Sequence, residues 1–261
     1  PMNRYLSTIG LYARWNLYKI LAIILVTVLV SGFLVYRFPA GLVVLDENYV
    51  SPETGETTQL VTDYGKVENA AEGSRAPIVC AVGFAAIAAV MSLTGCGYGV
   101  KTDYTVRRLR VKERQAVFLW AAYHAALLVL YWAAMAAVMY GVMVHRLGVD
   151  VTTDYHYGPQ SLMLLFYSDA FLHHLLPLQD AAVWGVGIAS VLAAVALSSV
   201  AFSYRQRRGK FSILILLAVT AAILAFFYDV GSNVNFILMA LQLMIAGGAV
   251  ISMVRGDGDE A

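Results

Sequence analysis

Six long apolar blocks, none with a Lys, Arg, Asp or Glu in its interior, dominate this sequence. They run from about Tyr18 to Tyr36, Pro77 to Tyr98, Gln115 to Val144, Ala181 to Tyr204, Phe211 to Tyr228 and Val234 to Val254. A helix needs about 20 mostly apolar residues to cross the hydrocarbon core of a bilayer, so each block reads as a span. Composition agrees. The chain is 60% hydrophobic and only 13% charged, whereas soluble domains carry about 25% charged residues. A water-soluble fold would lack the polar residues to cover its surface. Disorder, a secreted disulfide scaffold and an ordinary soluble enzyme are thereby excluded. The expected fold class is an all-α membrane protein with six transmembrane helices, forming a single domain over 1–261.

The distribution of Lys and Arg sets the expected orientation. With six spans, both termini lie on one side, together with the loops after the second and fourth spans. That side holds Arg4, Arg14 and Lys19, then Lys101, Arg107, Arg108, Arg110, Lys112 and Arg114, then Arg205, Arg207, Arg208 and Lys210, and finally Arg255. The other side keeps only Arg37, Lys66, Arg75 and Arg146, with most of the acids. Both termini are therefore expected in the cytoplasm. The basic N-terminal start leads into its apolar run without a small-residue cleavage pattern, so this run is expected to remain as the first span.

Two loops on the outer side are large, 37–76 and 145–180. The first is acidic and polar, and its stretch Thr58–Thr62 (TQLVT) is β-prone enough to pair as a small hairpin. The second contains SLMLLFYSDAFLHHLLPLQD. Its apolar part, Ser161–Leu176, is short for a span and ends at Pro177, so it reads as an outer interfacial or re-entrant helix between spans three and four. Cys80 and Cys96 are 16 residues apart in one block. On a helix that is roughly 24 Å, too far for a disulfide.

The sequence has no GxxxxGK[ST], HExxH or GxSxG motif. Intramembrane charges ordinarily mark ion pathways and proton relays, and their absence argues against a pump or proton-coupled carrier. Energy for any transport is expected to enter through another subunit, with no cofactor in this chain.

The densest feature is the cytoplasmic loop 99–114, which contains KTDYTVRRLRVKER. Asp103 is placed to cap a helix from about Tyr104, and Val106, Leu109 and Val111 give that helix an apolar side among its arginines. A basic loop often does no more than fix topology. A compact, helix-sized one between two spans also fits a docking element. The stretch Tyr104–Trp132, YTVRRLRVKERQAVFLWAAYHAALLVLYW, resembles the second cytoplasmic-loop region of ABC-2-type ABC transporter permeases, especially small permeases of gut Firmicutes. The resemblance implies six spans, a coupling helix seated in a groove of an ATP-binding cassette ATPase subunit, ATP and Mg on that partner, and a second permease chain, identical or paralogous. It implies that Thr105, Arg107, Arg108, Leu109 and Glu113 lie at the ATPase contact, with Arg205, Arg207 and Arg208 in a second contact loop that ends at Lys210. The family often places its outer re-entrant helices between spans five and six, whereas here the outer apolar segment lies between spans three and four.

Other residues carry competing readings. Tyr131, Trp132, Met135, Met139 and Tyr140 form an aromatic and methionine stripe that suits an amphipathic substrate path, or core packing. Asp169 and His173 are four residues apart, so a continuous helix puts both on one face with His174 beside them. That group, completed by His156 or Asp180, is the alternative of a metal site in a membrane-bound metalloenzyme or redox subunit. His124, inside the third block, reads as an interhelical hydrogen-bonding residue or a functional one. Aromatic residues at block ends, such as Trp15, Tyr18, Tyr36 and Tyr98, form the interfacial belt that faces membrane lipids. Small residues in the fourth block (Gly185, Gly187, Ala189, Ser190) and the sixth (Ala246, Gly247, Gly248, Ala249) allow close helix approach. A non-transporting membrane scaffold is a third possibility. Nothing points to nucleic acid.

Overall fold

The computed structural model describes residues 2–38, 43–50, 57–62, 70–96, 113–149, 159–176, 181–227 and 232–255. Its helices are α1 (Met2–Arg37), α2 (Ala70–Gly73), α3 (Ala76–Thr94), α4 (Glu113–Val149), α5 (Pro159–Ser168), α6 (Ala170–Leu175), α7 (Ala181–Arg207), α8 (Leu214–Phe227) and α9 (Ser232–Arg255). Strands β1 (Val43–Val50) and β2 (Thr57–Thr62) pair antiparallel, with Val44 opposite Val61 and Tyr49 opposite Thr58. The hairpin expected around Thr58–Thr62 is thus present, with register irregularities on either side of Asp46.

Among the described residues, α1, α3, α4, α7 and α9 are long and apolar enough to cross a membrane. They fit a multi-pass membrane protein on a second count as well. Leu25, Leu29 and Phe33 of α1 and Ile237 and Met244 of α9 are all more than half exposed. Large apolar side chains in that density would favour aggregation in water, but they match a lipid surround.

The fifth apolar block differs from expectation. Its helix, α8, has 14 residues, or about 21 Å, against a hydrocarbon core of about 30 Å. The cause lies in the turn before it. Gly209 takes φ +70°, and its amide donates to the Gln206 carbonyl while the Lys210 amide donates to that of Arg205. This pair of bonds closes α7 in a Schellman motif, and Phe211–Ile213 are spent on the exit before α8 begins. Replacing Gly209 by Ala should cost about 1 kcal/mol, since an L side chain is strained at that φ. Thermal unfolding in detergent measures it.

The contacts define two ends of the bundle. At one end a single cluster joins Tyr12 of α1, Trp120 of α4, Tyr204 of α7 and Met253 of α9. At the other, Arg146 of α4 donates to the Val35 carbonyl of α1 at 2.8 Å, and Phe227 of α8 stacks on Phe171 of α6. The α7 and α9 C-termini share the first end, so α8 returns the chain to the second. The early residues of α1 and the end of α9 therefore lie together.

Polar clips join the helices. Tyr12 Oη donates to the Met91 carbonyl at 2.9 Å, Ser203 Oγ to the Ser92 carbonyl at 2.6 Å, and Ser190 Oγ to Gln242 Oε1 at 2.7 Å. Such bonds contribute about 0.6 kcal/mol each in membrane proteins and fix which faces meet. At Gly83 a Cβ would run into the Thr27 side chain, so α1 and α3 approach at a point that only glycine allows. The α9 helix, by contrast, is the least buried of the five long ones.

Candidate functional site

The end that gathers Tyr12, Trp120 and Tyr204 also gathers the basic side chains of α7. Arg207 and Arg208 close that helix, and Glu113 opens α4. The Arg207 guanidinium lies 3.4 Å from Glu113 Oε1, and the Arg208 guanidinium 3.5 Å from Glu113 Oε2. One carboxylate thus spans two cations contributed by another helix. The three positions come from the two loops that sequence reasoning set as separate contacts, and the fold brings them together. Thr105, Arg107, Arg108 and Leu109 lie outside the described residues, as does the rest of the predicted amphipathic helix.

Behind this clasp runs a stack of rings. Arg207 sits over the Trp120 ring at 5.5 Å. Trp120 stacks on Tyr12 with centroids 4.6 Å apart and an interplanar angle of 26°. Tyr12 lies 5.3 Å from the His124 ring. His124 Nδ1 is 2.8 Å from Ser199 Oγ. The Ser199 hydroxyl also reaches the Ala196 carbonyl at 2.8 Å. The His124 contact bridges α4 and α7. Each step of the series from Glu113 to Ser199 is a ring or polar contact, and it joins the surface clasp to the buried interior of α1, α4 and α7. Sequence reasoning missed Trp120 and Tyr12. Their only signal was an aromatic near a block end, and that has no partner in a one-dimensional reading.

Beside the clasp lies a cavity of about 350 Å³ between the ends of α7 and α9. Tyr204, Arg205, Arg208, Lys210 and Arg255 form its polar side, and Gly248, Ile251 and Ser252 its floor. Arg208 is held over the Tyr204 ring at 4.4 Å.

The aromatic and methionine stripe lies along α4. Tyr131, Met135 and Met139 are fully buried in the main core. Tyr131 Oη donates to the Cys80 carbonyl at 2.6 Å, and Trp132 Nε1 to the Leu175 carbonyl at 2.9 Å. Tyr140 is half exposed, 6.2 Å from the Phe166 ring. Tyr131 and Trp132 thereby tie α4 to α3 and α6. Tyr131→Phe should cost about 1 kcal/mol by leaving the Cys80 carbonyl short of a donor, read as a lower midpoint in detergent unfolding.

At the opposite end, the helix expected over Ser161–Leu176 breaks at Asp169. Its carboxylate caps α6, accepting from the Leu172 amide at 2.9 Å, and also accepts from the Glu72 amide at 3.3 Å. The turn from Asp169 to His173 stays helical, with the His173 amide donating to the Asp169 carbonyl at 2.9 Å, but the Asp169 carboxylate is engaged by the Leu172 and Glu72 amides. His174 Nδ1 meets the Ala170 carbonyl at 2.9 Å. Among the described residues no group of three His, Cys, Asp or Glu side chains is placed to hold a metal ion; His156 and Asp180 lie outside them. Burial, aided by the nearby Glu72 carboxylate, pushes the Asp169 carboxyl up to about 6, against the opposing pull of the Leu172 and Glu72 amides. Cys80 and Cys96 are both free and buried.

No protein-family model, no curated protein and no solved structure matches this chain.

Proposed function

We propose that this chain is the transmembrane permease subunit of an ATP-binding cassette transporter, with its basic end in the cytoplasm and α8 serving as a short sixth span. The observation that carries the reading is the Glu113 clasp, which ties the start of α4 to Arg207 and Arg208 at the end of α7. A subunit without intramembrane charges needs an external source of work. A clasp rooted in a continuous ring stack moves with the bundle as one piece, so a push on the adjoining loops reaches α1, α4 and α7 together. The partition of Lys and Arg supports the sidedness. The return of α8 from Lys210 towards Phe171 supports six passes, and a short helix is accommodated by local bilayer thinning.

In this reading ATP and Mg bind the partner ATPase. Its closure drives the loop bearing Thr105, Arg107, Arg108 and Leu109 against the clasp, and two permease chains move between inner and outer access. The chain itself performs no catalysis. The test is purification of the tagged chain from its native membrane in a mild detergent. An ATPase with a phosphate-binding loop should co-purify at one copy per permease chain and hydrolyse ATP. Arg107→Glu with Arg108→Glu should abolish the association while leaving the chain in the membrane. A stable, monodisperse chain that retains no such ATPase defeats the reading.

A further inference from the structure

The cavity between the ends of α7 and α9 carries a different inference, independent of the transporter reading. We propose that it is a binding site for a phosphate anion, occupied by the headgroup of an anionic phospholipid. Four cationic side chains, Arg205, Arg208, Lys210 and Arg255, line it without a carboxylate among its lining residues. Two helix C-termini meet there, each equivalent to about half a negative charge. Even with Arg208 paired to Glu113, the cations exceed these partial charges, and the field inside favours an anion.

Three further features point to a ligand with both charge and an apolar body. Arg205 Nε is buried and has no hydrogen-bond acceptor among the described residues, the situation an incoming phosphate oxygen relieves. Arg208 is already oriented by Glu113 on one side and the Tyr204 ring on the other, so little side-chain freedom is lost on binding. Ile251 of the lining is more than half exposed, as are Phe211 and Ile213, which follow Lys210 in the chain. The cavity lies where two bundle helices end, and the ends of helices that cross a bilayer meet its headgroup layer. Basic pockets between membrane helices hold anionic headgroups by this combination of charge and depth. A soluble phosphate would use the same cations but not the exposed apolar side chains near them.

The experiment uses the full chain in detergent micelles, titrated with dioleoylphosphatidylglycerol or dioleoylphosphatidylcholine and read by native mass spectrometry. The wild type should retain the anionic lipid at least about tenfold more strongly than the zwitterionic one. Arg205→Gln with Arg255→Gln should remove that preference, and Arg205→Lys with Arg255→Lys should restore most of it. Arg37→Gln with Arg75→Gln, equal in charge but at the other end of the bundle, should leave it intact. Equal retention of both lipids by the wild type overturns the proposal, as does an equal loss in the distant variant. Displacement of the bound lipid by millimolar inorganic phosphate assigns the pocket to a soluble anion and overturns the lipid assignment.

Discussion

Replacing Glu113 by Lys should lower stability by about 2 kcal/mol and, in the proposed complex, uncouple ATP hydrolysis from the permease. An exposed ion pair contributes less than about 1 kcal/mol, whereas stranding a buried charge costs about 3–5 kcal/mol. The Glu113 side chain is 40% exposed and that of Arg207 only 6%, so the clasp falls between these limits. Arg207 also keeps its place over Trp120, which holds the loss below the fully buried value. Charge reversal sets three cations together at the mouth of the ring stack. Glu113→Gln, which removes the attraction without adding repulsion, should cost under about 1 kcal/mol. Glu113→Lys combined with Arg207→Glu should recover more than half of the loss, because the pair is restored with its ends exchanged. Unfolding midpoints in detergent of the wild type, Glu113→Lys, Arg207→Glu and their combination, analysed as a double-mutant cycle, isolate the pairing.

The second large effect lies at the opposite end and depends on pH. The Asp169 carboxyl is raised from 3.8 to about 6 by burial, with the Glu72 carboxylate adding to the effect. The folded chain therefore binds this proton more tightly than the unfolded chain does. Stability from this group is complete below about pH 4 and is lost as pH rises through about 6. The span of roughly two pH units corresponds to about 3 kcal/mol. Wild-type protein should be more stable at pH 5 than at pH 7. Asp169→Asn keeps an acceptor for the Leu172 amide and cannot ionise, so its midpoint should be flat over that interval. Asp169→Ala should be flat as well but lower throughout by about 1–2 kcal/mol, from loss of the α6 cap. A wild-type midpoint that rises between pH 5 and 7 contradicts this assignment. The protonated and ionised forms also differ in how firmly Asp169 holds the Glu72 amide, which ties α2 to the break between α5 and α6.

What the sequence made legible follows from what lipid demands of a chain. Uncharged blocks long enough to cross appear as helices because a bilayer leaves backbone amides no other partner. The basic residues after the second, fourth and sixth blocks were legible as one set, and Arg205, Arg208, Lys210 and Arg255 of that set do share an end of the bundle. The hairpin around Thr58–Thr62 was legible from its β-prone run. The faces of the helices were not. In water an apolar stripe marks the packed side, but here Leu25, facing outward, and Ile24, packed in the core, are equally apolar. Nothing in the sequence separates them. For the same reason Tyr131 and Met135 read as well for a substrate path as for a core, and their burial and the bonds of Tyr131 and Trp132 to the Cys80 and Leu175 carbonyls were not legible. The shortening of α8 was written in Gly209, since an Arg-Gly-Lys run after a helix marks its end. The break at Asp169 was written in a capping residue inside an apolar run, and helical spacing alone passed over it. The Glu113 clasp joins residues 94 and 95 positions apart, beyond the reach of any local pattern.

Sidedness and protection of the basic end decide the matter most directly. A single cysteine placed at Arg107, with Cys80 and Cys96 replaced by Ser, is probed with a membrane-impermeant maleimide. It should stay unlabelled in intact cells, react slowly in inverted native vesicles, and react much faster once urea has stripped peripheral subunits from them. Labelling in intact cells, or an unchanged rate after stripping, would contradict a cytoplasmic docking face.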